Sequence, residues 1–295
     1  MMYKVGVFLL LSFVSFSQTK TDSINKLTLA KIALINQTDS YVTFPTDIGN
    51  IAPLMFEGNI SPSFVIRQRK DSKLMAVLTA QIIIRMYNEE SFPVRTPSYI
   101  PQISFYYRMS KQASSDTKNI FARIAHHSNG QDGDYYNEDG TVNLLSGNFA
   151  TNFFQLGYIN TFKSNQYNAV RFYKSSIEVH PKSWMAEEMQ GSFSGFRWNN
   201  SFIAYKLSKK NAYKDKKPNF SIKMETTYMI DAINEWDFID IKRLNASFTF
   251  YYHPRFLEDV GFFVQLYTGR DYYNIYFNEY LSVIRFGIMT EILRF

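Results

Sequence analysis

One segment of the chain places a histidine and a serine where they can act together. It reads Asn119-Ile120-Phe121-Ala122-Arg123-Ile124-Ala125-His126-His127-Ser128-Asn129-Gly130-Gln131. Side chains alternate between the two faces of a strand. Read this way, Ile120, Ala122, Ile124, His126 and Ser128 share one face, and Asn119, Phe121, Arg123 and His127 share the other. His126 and Ser128 then stand about 6.6 Å apart along the strand with parallel side chains. A general base and a nucleophile must come within hydrogen-bond reach, and this spacing allows it. A serine nucleophile also needs its histidine oriented by a third group. The next strand-like segment offers one. There Ala150, Asn152, Phe154, Leu156 and Tyr158 share a face, and Asn152 is its polar member near the loop end. Polar groups facing hydrocarbon are costly unless paired. Either these three meet and do nucleophilic chemistry, or they lie beyond the apolar zone in loops.

The elements that must position them are strands. Candidate segments are 61–70, 74–87, 101–110, 119–128, 149–162, 168–180, 196–208, 219–230, 244–253, 260–268 and 281–293. In 219–230, Phe220, Ile222, Met224, Thr226, Tyr228 and Ile230 oppose Asn219, Ser221, Lys223, Glu225 and Thr227. In 244–252, Leu244, Ala246, Phe248, Phe250 and Tyr252 oppose Asn245, Ser247 and Thr249. Period two with one apolar and one polar face is the mark of a half-buried strand. The 27 Phe and 21 Tyr fit strands too.

Segment length and the N-terminus favour a barrel over a soluble sandwich. Lys4, the apolar run Val5 to Val14 and then Ser15-Phe16-Ser17-Gln18 describe a secretory signal peptide, with cleavage expected after Ser17. No later stretch reaches the roughly 20 apolar residues of a spanning helix. A spanning chain must then be a closed barrel, because sheet edges cannot be left in hydrocarbon. The expected organisation is a signal peptide at 1–17, an extension at 18–58 that caps or enters the barrel, and a transmembrane β-barrel at 59–295. Residues 28–35 are expected to form a short helix. Phe295, closing the last strand, fits a barrel that ends on an aromatic, though it departs from the parity of Ile284, Phe286, Ile288 and Ile292.

Composition excludes other classes. With no cysteine, neither a disulfide scaffold nor a Cys-ligated zinc site is open to the chain. The charge of +6 is dispersed, without the basic run that nucleic acid would call for. Gly-x-Ser-x-Gly, a phosphate loop, a dinucleotide fingerprint and His-Glu-x-x-His are all absent. His180 and His253 each adjoin a proline at a strand end and read as structural.

The segment His126-His127-Ser128-Asn129-Gly130 resembles the His-x-Ser-Asn-Gly motif of the outer-membrane phospholipases A. Tyr87 to Arg95, followed by Tyr99-Ile100-Pro101-Gln102, is similar to that family's first long loop and next strand. Tyr267-Thr268-Gly269, Asn274 to Asn278 and Val283 to Met289 are similar to its last two strands. The resemblance covers about residue 74 to the C-terminus and does not extend to 18–60.

It implies an all-β, antiparallel transmembrane barrel of about twelve strands in the outer membrane of a Gram-negative bacterium. It implies hydrolysis of sn-1 and sn-2 phospholipid esters, with Ser128 as nucleophile, His126 as base and Asn152 as the amide that orients it. It implies calcium held by Ser91, Gln131 and Asn148, and a calcium-dependent homodimer in which Ser91 completes the ion site of the other copy. The alternative is an inactive barrel of the same fold, porin-like or structural. There are departures. The loop between Ser128 and Asn152 is longer than in the family, so Asn137, Asn143 and Asn148 compete for the orienting role. Asn148 replaces a serine. His127 stands where an acidic residue is usual, and its parity points it into the lumen. Asp132, Asp134, Glu138 and Asp139 form either a second calcium site or a solvated acidic loop.

Overall fold

The structure is a computed structural model that describes residues 28–290, apart from 46–47, 50–52, 70, 112–115, 165 and 208–217. The expected signal peptide and Phe295 lie outside the described residues. Alternation in the sequence becomes an inside-out barrel. On β10 (Pro218–Met229) and β11 (Leu244–Tyr252), Phe220 pairs with Tyr252, Ile222 with Phe250 and Met224 with Phe248. These apolar side chains point outward: Phe220 is 43% exposed and Met224 50%. The polar partners on the opposite face are the buried ones, Ser221 at 3% and Thr249 at 2%. A protein folding in water does the reverse. Apolar outside and polar inside is what a barrel in lipid requires. No helix among the described residues is long and apolar enough to cross a membrane, so strands do the crossing.

The remaining strands are β1 (Tyr41–Thr43), β2 (Leu54–Ile60), β3 (Ser63–Ile66), β4 (Leu74–Tyr87), β5 (Ser98–Arg108), β6 (Thr117–Ser128), β7 (Ala150–Ser164), β8 (Ala169–Val179), β9 (Phe196–Leu207), β12 (Val260–Arg270) and β13 (Tyr280–Thr290). From β4 to β13 each strand pairs antiparallel with the next. β2 and β3 both pair with β4 and are two parts of one strand, interrupted at Ser61 and Pro62. Proline brings no donor to a ladder, which accounts for the break. β1 closes the ring, pairing Tyr41 with Met289 of β13 and with Asn59 of β2. With β2 and β3 counted once, the barrel has twelve strands, as the resemblance implies.

The described part of the segment 18–58, expected as an extension that caps or enters the barrel, also contributes strands. It supplies β1 and most of β2, so the sheet begins before residue 59. Its pattern was hard to read because β1 is three residues long and prolines flank the connection to β2. The helix is present as α1 (Leu29–Ile35), with Thr28 as N-cap accepting from Lys31 N at 3.3 Å. α1 sits inside the barrel, where Leu29, Ile32 and Ala33 pack with Met75, Val77, Tyr106, Phe121 and Phe172. At the opposite end three loops, 129–149, 180–195 and 271–279, meet in a second apolar cluster around Phe149, Met189, Phe193 and Phe277. Between plug and lid lies a cavity of about 350 Å³, whose mixed lining includes the charged Arg123, Lys174, Lys223 and Glu225. Buried charge under the lid is paired: Arg85 meets Glu57 at 2.7 Å and Asp271 at 2.6 Å, tying β2, β4 and the 271–279 loop together.

Candidate active site

β6 and β7 are in register so that His126 lies directly opposite Asn152, and Ser128 opposite Ala150. All three polar side chains are half-buried, at the loop end of outward faces that carry exposed Ile124, Phe154 and Leu156. His126 Nδ1 and Asn152 Oδ1 are 2.9 Å apart. The other half of the amide fixes which atom is which. Asn152 Nδ2 donates to the carbonyl of Trp184 at 3.3 Å, and a carbonyl can only accept. Oδ1 therefore faces the imidazole, and His126 must donate from Nδ1. In the neutral ring Nε2 then carries the lone pair, which is the tautomer a general base needs.

The loop that supplies this carbonyl continues the sheet beside β7. Met185 bridges Thr151, and Ala186 N donates to Ala150 O at 3.1 Å. The Trp184 ring packs on Phe154 with centroids 4.9 Å apart. Neither Trp184 nor Asn129 carries a role in the sequence reading. Asn129 is fully buried and clasps the base of the 129–149 loop. Its Nδ2 donates to Gly147 O at 2.8 Å, and its Oδ1 accepts from Phe149 N at 3.1 Å and Gln131 N at 3.2 Å. Gly130 follows with φ of 68°, and a Cβ there would lie 3.1 Å from the Tyr99 ring. Tyr99 is the β5 partner of Ser128. The motif thus divides its labour: His126 and Ser128 face outward, Asn129 fastens the loop, and Gly130 makes a left-handed turn close against Tyr99, where a side chain would crowd the ring. An Asn before a Gly at a strand end could have signalled the turn. A backbone carbonyl such as that of Trp184 leaves no mark in sequence.

Two of the three rival amides are engaged elsewhere. Asn137 Nδ2 donates to Thr141 Oγ1 at 3.0 Å, and Asn143 Nδ2 to Asp134 O at 3.1 Å. Asn148 N donates to Gly133 O at 3.0 Å, next to the bridge between Gly133 and Gly147. Gln131 and Asn148 therefore stand on the two limbs of one loop, just above Ser128. Ser91 lies in a different connection, between β4 and β5, exposed and with φ of 64°. Among the described residues no group of three or more His, Asp or Glu could hold a metal, and Asp132, Asp134, Glu138 and Asp139 form no such cluster. Asp139 instead caps its own turn, accepting from Thr141 N at 3.0 Å.

The other histidines are in structural settings. His127 points under the lid, edge-on to Phe149 at 4.9 Å. His180 lies between Thr151 Oγ1 at 3.0 Å and Glu178 Oε1 at 2.9 Å. Burial pushes its imidazole below the ordinary histidine range. His253 Nε2 meets Ser221 Oγ at 2.7 Å.

A closed twelve-stranded barrel with a Ser, His and Asn on its lipid-facing wall is the class these observations define. No protein-family model matches the chain, and no curated protein does. Solved structures do. Outer membrane phospholipase A from Escherichia coli is similar with a TM-score of 0.56 at 12% identity, over 90% of this chain and 97% of that one. An active-site mutant of the same E. coli protein gives 0.52 at 13%, over 93% and 95%. The Salmonella typhi outer membrane phospholipase dimer with bound calcium gives 0.56 at 12%, over 91% and 99%. The fold of this chain is that of outer membrane phospholipase A.

Proposed function

We propose that the chain is a phospholipase A of a Gram-negative outer membrane, hydrolysing sn-1 and sn-2 acyl esters to fatty acid and lysophospholipid. The observation that carries this reading is the 2.9 Å contact between His126 and Asn152 on the outward face, two residues from Ser128. A hydrogen-bonded imidazole and amide facing lipid have no structural task that apolar residues would not do better.

The chemistry follows from the residues. Ser128 Oγ attacks the ester carbonyl while its proton passes to His126 Nε2. The tetrahedral intermediate collapses, and His126 returns that proton to the leaving glycerol oxygen, releasing lysophospholipid. Water, deprotonated by His126, then attacks the acyl-serine; His126 passes that proton to Ser128 Oγ as the C–Oγ bond breaks, freeing the fatty acid and restoring the serine. Asn152 cannot take up a proton. It holds the imidazole in one tautomer and turns its carbonyl dipole toward the imidazolium.

Gln131 and Asn148 offer neutral oxygen donors on loop limbs fastened by Asn129, a donor set that suits calcium, with Ser91 from a second copy of the chain as a further ligand. Bound there, calcium would supply positive charge near the carbonyl oxygen as it becomes an oxyanion. The test is release of labelled fatty acid from phospholipid by purified protein, with calcium and with chelator. Release that requires calcium is expected; absence of release in both would leave an inactive barrel. The porin-like alternative is disfavoured by the plugged lumen.

A further inference from the structure

The rim opposite the catalytic trio has a different surface chemistry. The described residues of the six connections at the trio's end (44–53, 88–97, 129–149, 180–195, 230–243 and 271–279) contain fourteen Asp and Glu against four Lys and Arg. The described residues of the turns at the other end (67–69, 71–73, 109–111, 116, 166–168 and 253–259) contain five Lys and Arg against four Asp and Glu. One rim is thus acidic and the other is not. The turn between β3 and β4, Arg67-Gln68-Arg69-Lys70-Asp71-Ser72-Lys73, is one of the two most basic. It is ordered by Ser72, whose Oγ accepts from Arg69 N at 2.9 Å and whose N donates to Arg69 O at 3.2 Å. Arg67, Arg69 and Lys73 are exposed. Among the described residues no ion pair engages any of the three.

This turn borders a recess of about 620 Å³, whose lining includes Ile66, Arg67, Arg69, Lys73, Leu74 and Phe105. Ile66, Leu74 and Phe105 belong to the outward faces of β3, β4 and β5 and are 55%, 60% and 43% exposed. The recess therefore opens on the lipid-facing wall, with basic side chains on its edge and apolar ones on its floor. We infer that it binds a phospholipid of the leaflet at the turn end, with the phosphate held by Arg67, Arg69 and Lys73 and an acyl chain lying on Ile66, Leu74 and Phe105. Guanidinium groups match phosphate geometry. Long basic side chains reach headgroup level while their stems cover apolar surface. Basic residues beside a membrane draw anionic headgroups. A free anion would gain nothing from the apolar floor, which is continuous with the band that faces hydrocarbon. Phe105 lies six residues along β5 from Tyr99, the partner of Ser128, or about 20 Å. A lipid held here is out of the nucleophile's reach. The inference rests on the barrel spanning a membrane and not on its being an enzyme.

The test is native mass spectrometry of the full chain released from detergent containing ether-linked phosphatidylglycerol, which no esterase can cleave. Its comparisons are ether-linked dialkylglycerol, which lacks the phosphate, and glycerol 3-phosphate as a competing free headgroup. One phosphatidylglycerol should stay bound to the wild type, and the dialkylglycerol should not. The variant R67Q/R69Q/K73Q should retain at least about fivefold less, while K182Q at the other rim should retain as much as wild type. Heat-modified gel migration confirms that each variant is a folded barrel. Should the triple variant fail to fold, the comparison of the two lipids on wild type decides alone. Equal retention of dialkylglycerol, equal retention by the folded triple variant, or full displacement by glycerol 3-phosphate would overturn the inference.

Discussion

At the residue scale the account stands on Asn152 and its two contacts. An amide that orients a base should matter less than a nucleophile but more than an amide elsewhere in the same loop. Asn152→Ala is therefore expected to lower the rate of ester hydrolysis clearly while keeping a measurable remainder. Asn143→Ala and Asn137→Ala, whose amides serve the loop's own turns, should stay near wild type. Loss of turnover in Asn143→Ala with full turnover in Asn152→Ala would mean that another amide orients His126. The placement of His126, Ser128 and Asn152 on one surface was legible because period two leaves a strand residue only two directions. The choice of Asn152 over its rivals was not legible from the residues, since Asn137, Asn143, Asn148 and Asn152 all follow Ser128 as candidates within one long loop and the start of the next strand. The cross-strand register that selects it depends on where that loop is fastened, and Asn129 does the fastening.

At the scale of elements, the strands with unbroken alternation were readable, and those without it were not. β10 and β11 appear where Phe220 to Tyr228 and Leu244 to Tyr252 alternate. β1 and β2 were hidden, because β1 is only three residues long, Gly58 breaks the apolar run of β2 and prolines interrupt the segment. Closure of the barrel thus depends on a stretch with little strand signal and is fixed by tertiary pairing. The 129–149 loop makes a sharper prediction. Asn129→Ala removes three hydrogen bonds from a fully buried side chain and leaves backbone groups unpaired, at about 1–3 kcal/mol. The barrel should still form, while hydrolysis falls roughly tenfold or more because the strand end that carries Ser128 is no longer anchored. Comparing rate and heat-modified migration in one preparation checks this. Unchanged activity would show that the clasp is irrelevant to the site.

At the scale of the whole molecule, plug and lid determine whether the barrel conducts. With α1 packed in the lumen at one end and three loops over the other, wild type should show no steady conductance in a planar bilayer. Deletion of residues 28–37 should open a channel. Steady conductance by wild type would favour the porin-like alternative. The second copy of the chain makes another prediction. Lipid-facing residues gain little from association within a bilayer, because lipid tails are as apolar as they are. If Ser91 of one copy completes a calcium site on the other, crosslinked dimer and activity should rise together with calcium and fall together with chelator. A monomer fully active in chelator would contradict both the dimer and the ion.

The central claim is that Ser128 is the nucleophile of a lipid-facing ester hydrolase. It is tested most directly by fatty-acid release from phospholipid with calcium, comparing wild type with Ser128→Ala after both are shown to be folded barrels. Loss of the only nucleophile should reduce release by roughly 10³-fold or more. A folded Ser128→Ala barrel that releases fatty acid at the wild-type rate would contradict the account.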